Sequence, residues 1–94
     1  MIQSFKDDRT RQVFRREAGR WIPPDILRRA ERKLRMLNTV TRLEDLRVPP
    51  GNHLELLIGN RAGQYSIRIN DQWRICFFWQ DGHPYDVEIV DYHP

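Results

Sequence analysis

The sequence predicts an α+β fold: a small antiparallel-rich sheet with two main N-terminal helices packed on one of its faces. Three observations predict it. Apolar residues recur at helical spacing in the first forty positions. Apolar/polar alternation broken by turn residues fills the second half. Neither a repeat nor a low-complexity linker divides the two, so residues 1–94 read as one domain.

The clearest element is the hairpin over Tyr65-Ser66-Ile67-Arg68-Ile69-Asn70-Asp71-Gln72-Trp73-Arg74-Ile75-Cys76-Phe77. A three-residue turn at Asn70, Asp71 and Gln72 sets Ile69 against Trp73, Arg68 against Arg74, Ile67 against Ile75 and Tyr65 against Phe77. One face is then wholly apolar. A two-residue loop would mix the faces and is rejected. The chosen register puts Arg68 and Arg74 side by side on the outward face, where like charges cost a few tenths of a kcal/mol to ~1. Such a pair is either diluted in solvent or holds an anion, and planar guanidinium suits phosphate oxygens.

Around this hairpin the other elements fall in order. Ile2–Phe5 alternates like a short edge strand. Asp7 or Asp8 caps a helix to about Glu17, with Val13 and Phe14 inward, Arg9, Arg11, Arg15 and Arg16 outward, and Gly19 ending it. Trp21 and Ile22 dock the connection. Pro23-Pro24-Asp25 opens a second helix whose inner face is Ile26, Leu27, Ala30, Leu34 and Leu37, with Asn38 as its C-terminal cap. Thr41-Arg42-Leu43-Glu44 reads as a capping box for a short helix turning Leu43 and Leu46 inward, stopped by Val48-Pro49-Pro50-Gly51-Asn52. His53–Ile58 is a strand, Gly59–Gly63 a polar turn, Asp81–Pro84 another turn, and Tyr85–Val90 the last strand.

Composition narrows the function classes. The 94 residues are 39% hydrophobic and 31% charged, as expected of a soluble globular chain. The longest apolar run, Ile75–Trp79, is far short of a membrane span. The start lacks a signal-peptide pattern and the single cysteine cannot form an internal disulfide, so the cytoplasm is the expected compartment, with no membrane association. The net charge of +3 hides an asymmetry: residues 1–50 carry 13 Lys/Arg against 7 Asp/Glu, residues 51–94 carry 3 against 6. A basic, arginine-dominated half favours a polyanion or an acidic protein as partner. Arg28, Arg32 and Arg35 line one face of the second helix, joined by Arg29 and Lys33. That row is either a solvated face or a surface for an acidic protein or ribosomal RNA.

His53, His83, His93 and Cys76 show no metal-ligand spacing, and neither a metal nor a cofactor is expected. Cys76 has no basic neighbour in sequence to make it a thiolate. What remains is Asp91-Tyr92-His93, following a strand that pairs beside Arg74. Together with Arg68 and Arg74 these are the parts of a metal-independent ribonuclease: groups to take and give a proton, and cations for a pentacoordinate phosphate. A functionless tail is the competing reading.

Nearly end to end, the chain resembles the HigB-type toxins of the RelE superfamily. The residues that carry the resemblance are the Met-Ile-x-Ser-Phe start, Ala30-Glu31-Arg32-Lys33-Leu34, Leu46-Arg47-x-Pro49-Pro50-Gly51-Asn52, the block Gly63–Phe77, and Val87–His93. The resemblance implies a RelE-like fold and a type II toxin that enters the ribosomal A site and cuts mRNA. It implies a HigA-type helix-turn-helix antitoxin as partner, with operator DNA bound only through it. It also assigns Arg68 and Arg74 to phosphate binding and Asp91, Tyr92 and His93 to catalysis. Arg61, Asn60 and His53 are further candidate RNA contacts, and Arg28, Arg32 and Arg35 candidate antitoxin contacts.

This chain departs from the pattern in three places. Ile58 stands where many relatives have lysine, Glu55 where some have histidine, and Phe78 where arginine is common. A lost cation removes charge stabilisation and a carboxylate repels RNA, so a weaker toxin than lysine-bearing relatives is expected. The alternative is an inhibitor of translation or ribosome assembly that acts by binding without efficient cleavage.

Overall fold

The computed structural model describes residues 1–92. Two helices, α1 (Asp8–Phe14) and α2 (Pro24–Thr39), precede a four-stranded antiparallel sheet of order β1-β2-β3-β4, with β1 Glu55–Leu56, β2 Tyr65–Arg68, β3 Trp73–Gln80 and β4 His83–Asp91. The hairpin register is the expected one, with Tyr65↔Phe77, Ile67↔Ile75 and Arg68↔Arg74 as partners. The Ile69 amide donates to Trp73 O at 2.9 Å, and Asn70 Oδ1 accepts from both the Gln72 and Trp73 amides, closing the three-residue turn. This pins the apolar face inward. Ile67, Ile69, Trp73, Ile75 and Phe77 are buried with Val87 and Ile89 of β4 and with Val13, Ile26, Ala30, Leu34 and Leu37 of the helices. Burying each large aliphatic side chain stabilises by about 1.5–3 kcal/mol.

Asp7 caps α1, accepting from the Thr10 amide at 2.9 Å. The helix stops at Phe14 rather than near Glu17, because Arg16 takes a left-handed φ of 58° and its amide bonds back to Val13 O. Gly19 therefore does not end it. A Cβ there would lie 2.6 Å from Leu27 Cδ1, so glycine lets the connection pass close over α2. Thr10, fully buried, ties α1 to the sheet by accepting the Ile89 amide on its hydroxyl at 3.1 Å.

Other expectations shift in detail. Asn38 lies inside α2 and accepts the Ile2 amide at 2.9 Å, which anchors the N-terminus instead of capping the helix. Thr41 makes no capping bond. The short helix is a 3-10 turn over Leu43–Arg47 entered at Arg42, whose guanidinium takes Glu44 at 3.1 Å and so removes the carboxylate a capping box needs. The expected strand His53–Ile58 shrinks to Glu55–Leu56, since His53 has φ 44° and cannot extend it.

The residues Ile2–Phe5 run beside the far edge of β4, with one parallel bridge, Phe5↔Val87. β4 begins at His83, not Tyr85, because Asp81 and Gly82 alone make the turn, both at positive φ. No helix among the described residues is long and apolar enough to cross a membrane.

Candidate functional site

Alternation along the strands sends Glu55, Ser66, Arg68, Arg74, Cys76, Phe78 and Glu88 to the face away from the helices. Arg68 and Arg74 lie directly opposite each other there, yet their guanidinium groups lean apart. Arg68 turns toward the hairpin tip and pairs with Asp71, a 93% exposed carboxylate. Arg74 turns the other way. Its Nη1 donates to Ser66 Oγ at 2.8 Å, its Nη2 to Glu55 Oε1 at 3.1 Å, and the Tyr92 ring stands 5.5 Å from its Cζ. Separate acceptors thus relieve the like-charge cost of the register.

The two arginines are consequently unlike. Arg74 keeps only 16% of its side chain exposed and is fixed from three sides. Exposed ion pairs are worth about 0–1 kcal/mol, so Arg68 exchanges Asp71 for another anion at little cost. Glu55, expected to act only as a repellent, instead orients Arg74. Sequence reasoning missed it because its position depends on the pairing Glu55↔Ser66 across the Gly59–Gly63 turn.

The tail is tied to the hairpin turn by Gln72. Its carbonyl accepts the Tyr92 amide at 2.6 Å and its Nε2 donates to Asp91 Oδ1 at 3.1 Å. Asp91 is in register with Trp73, on the side of the sheet that packs the helices, whereas the Tyr92 ring covers Arg74. His93 lies outside the described residues. Gln72 carried no chemical signal in sequence beyond its place in the turn.

Arg61 donates to Glu88 Oε1 at 3.0 Å and Gln64 Oε1 at 3.1 Å, and the Glu88 hydrogen bond raises its pKa further. Asn60 and His53 are exposed, Asn60 in the turn Gly59–Arg61 and His53 ahead of β1. Burial pushes the Cys76 thiol up to about 11 despite the nearby Arg61 and Arg74 charges, so it stays protonated at neutral pH and is no nucleophile. Among the described residues no group of three His, Cys, Asp or Glu side chains is placed to hold a metal.

On the helix side, Arg28, Arg32 and Arg35 come together with Arg16 and Glu31 around a cleft of about 310 Å³. Arg16 Nε lies 3.6 Å from Glu31 Oε2, and Arg35 donates to Phe14 O at 2.7 Å with its guanidinium over the Phe14 ring. Four guanidinium groups against one carboxylate leave this cleft positive. On the sheet face, by contrast, Arg61, Arg68 and Arg74 each have a carboxylate partner.

Comparison with known proteins places the chain in a family. Residues 3–93 match the model of a family described as "RelE-like toxin of type II toxin-antitoxin system HigB". The chain is 42% identical over 83 residues to "Toxin HigB-1" of Vibrio cholerae serotype O1, covering 87% of each protein. It is 30% identical over 93 residues to "Endoribonuclease HigB" of Proteus vulgaris, covering 99% of this chain and 100% of that one. The fold matches a chain of the "YoeB-YefM complex from Staphylococcus aureus" with a TM-score of 0.60 at 18% identity, over 100% of this chain and 99% of that chain. The chain belongs to the HigB-like family of RelE-like toxins of type II toxin–antitoxin systems.

Proposed function

We propose that the chain is a metal-independent endoribonuclease that cuts mRNA in the ribosomal A site and so inhibits translation. The observation that carries this reading is the preset Arg74, beneath Tyr92 and across from Arg68 on the open sheet face. In the reaction the 2′-hydroxyl loses its proton as its oxygen bonds to the adjacent phosphorus. The bond to the 5′-oxygen breaks, and that oxygen gains a proton. Arg74 and Arg68 neutralise the pentacoordinate charge, while Asp91, Tyr92 and His93 are the proton-handling residues. Arg61, Asn60 and His53 serve the flanking RNA. The experiment is expression in growing cells with mapping of mRNA 5′ ends. New ends are expected from the wild type and none from a variant lacking residues 91–94.

One observation favours a second reading. Because Arg61, Arg68 and Arg74 are each paired with a carboxylate, the sheet face offers phosphate little unbalanced positive charge. A protein that arrests translation by binding alone would stop growth without new 5′ ends.

Ile58, 88% exposed beside the Gly59–Arg61 turn, leaves that region without the lysine of stronger relatives. Ile58→Lys is expected to raise single-turnover cleavage about tenfold, one charge-assisted contact's worth. A wild-type rate already equal to that of lysine-bearing relatives would refute the weaker-toxin reading.

The partner of this reading is a HigA-type antitoxin docked on Arg28, Arg32 and Arg35, with operator DNA reached only through it. The unbalanced charge of the helix cleft supports that placement. Reversing the three charges should weaken antitoxin affinity about 10–100-fold by calorimetry. Unchanged affinity would move the docking surface elsewhere.

A further inference from the structure

The outward sheet face has two halves. Toward the hairpin tip stand Arg68, Arg74 and the Tyr92 ring, and next along the strands come Cys76 and Glu88 with Arg61. Beyond them Phe78 and Tyr85 lie opposite each other in register. Phe78 is 38% exposed, although a phenylalanine on a sheet face is ordinarily covered. Gly63 flanks it, and a Cβ added there would lie 3.6 Å from Phe78 Cε1, in ordinary contact with the ring edge.

A bulge makes this half aromatic. The register shifts between Cys76 and Phe78, with Asp86 at φ 50° as the additional residue. Continued from Cys76↔Glu88, an unbroken ladder would set Asp86 opposite Phe78. The bulge instead brings Tyr85 there and turns the Asp86 carboxylate to Ser4, which donates from Oγ at 3.1 Å. An anion is thereby removed from beside an exposed ring, on the face whose other half carries arginines.

From this we infer that Phe78, with Tyr85 across from it, is a stacking platform for a nucleobase of single-stranded RNA whose phosphate lies at Arg74. Cations that track the backbone, interleaved with aromatic rings that take bases, are the general means of holding single strands. Phe78 lies four positions beyond Arg74 along β3, about 13 Å, so the stacked base belongs to another nucleotide than the one cut. Stacking tolerates any base, so the platform contributes affinity and register rather than sequence preference. The inference rests on the sheet face being the RNA-binding face.

The test is fluorescence anisotropy with a short labelled 2′-O-methyl single-stranded RNA, beside single-turnover cleavage of ribosome-programmed mRNA. Phe78→Ala should weaken RNA binding roughly 5- to 100-fold, raising the half-saturating concentration in cleavage but not the saturated rate. Phe78→Trp should bind within about twofold of wild type, and Phe78→Leu should not restore binding, since it has bulk but no π-face. The salt dependence should be the same in all, because no charge changes.

Wild-type affinity in Phe78→Ala, alongside weakened binding in Arg74→Ala, overturns the platform and leaves the RNA face standing. Full rescue by leucine overturns it as well. Unchanged RNA affinity in both Phe78→Ala and Arg74→Ala sinks the sheet-face reading itself. Loss of antitoxin binding with RNA binding intact assigns Phe78 to the protein partner and also overturns the inference.

Discussion

Arg74→Ala should lower single-turnover mRNA cleavage by roughly 10²–10³-fold, the loss seen when one preorganised transition-state donor is removed. The size follows from how the side chain is held. Ser66, fully buried, and Glu55 fix two of its nitrogens, and the Tyr92 ring lies over it, so its charge is in place before RNA arrives. Arg74→Lys should recover little, because an ammonium cannot reach both acceptors while facing a phosphate. Arg68→Ala should cost less, since its guanidinium leans toward the exposed Asp71 and is not preset for the phosphate as Arg74 is. Circular dichroism separates these effects from unfolding, and a variant that cuts at the wild-type rate contradicts the assignment.

Asn52→Ala should destabilise the fold by about 2–3 kcal/mol, or a fall in Tm of roughly 10–20 °C for a domain of this size. Asn52 is fully buried, and its amide donates to Leu46 O at 3.0 Å and Val48 O at 3.5 Å. Its Oδ1 accepts from Lys33 Nζ, whose pKa is lowered first by desolvation and then by Arg32. The one side chain therefore joins α2 to the turns before the sheet. Alanine leaves a buried carbonyl and a half-buried ammonium short of partners at once. Asn52→Asp should be no milder, because it keeps the Lys33 contact but sets a buried carboxylate oxygen against the Leu46 and Val48 carbonyls. Thermal melts at constant pH check both.

Local pattern was enough to read the hairpin. The alternation on either side of Asn70–Gln72 has one register that collects Ile67, Ile69, Trp73, Ile75 and Phe77 on one face, and the backbone adopts it. The inner residues of α2 were legible for the same reason, since helical spacing leaves one apolar face. The ends of elements were not legible where a single residue overrides the pattern, as at Arg16 and His53 with their positive φ. Nor was the network around Arg74 and Arg61, because Glu55 and Glu88 reach them from 19 and 27 residues away. The bulge at Asp86 also left no trace in the alternation, so the facing of Phe78 and Tyr85 emerges only from three-dimensional pairing.

At the centre is the claim that this sheet face cuts RNA by directing the strand's own 2′-hydroxyl onto the neighbouring phosphate. Ribosome-programmed mRNA carrying a single 2′-deoxynucleotide at the mapped cut position, incubated with the protein in translation buffer, addresses it directly by the ends produced. The account predicts no cut at the deoxy position, and, from the all-ribose message, fragments ending in a 2′,3′-cyclic phosphate and beginning with a 5′-hydroxyl. Undiminished cutting at the deoxy position, or fragments beginning with a 5′-phosphate, would contradict it.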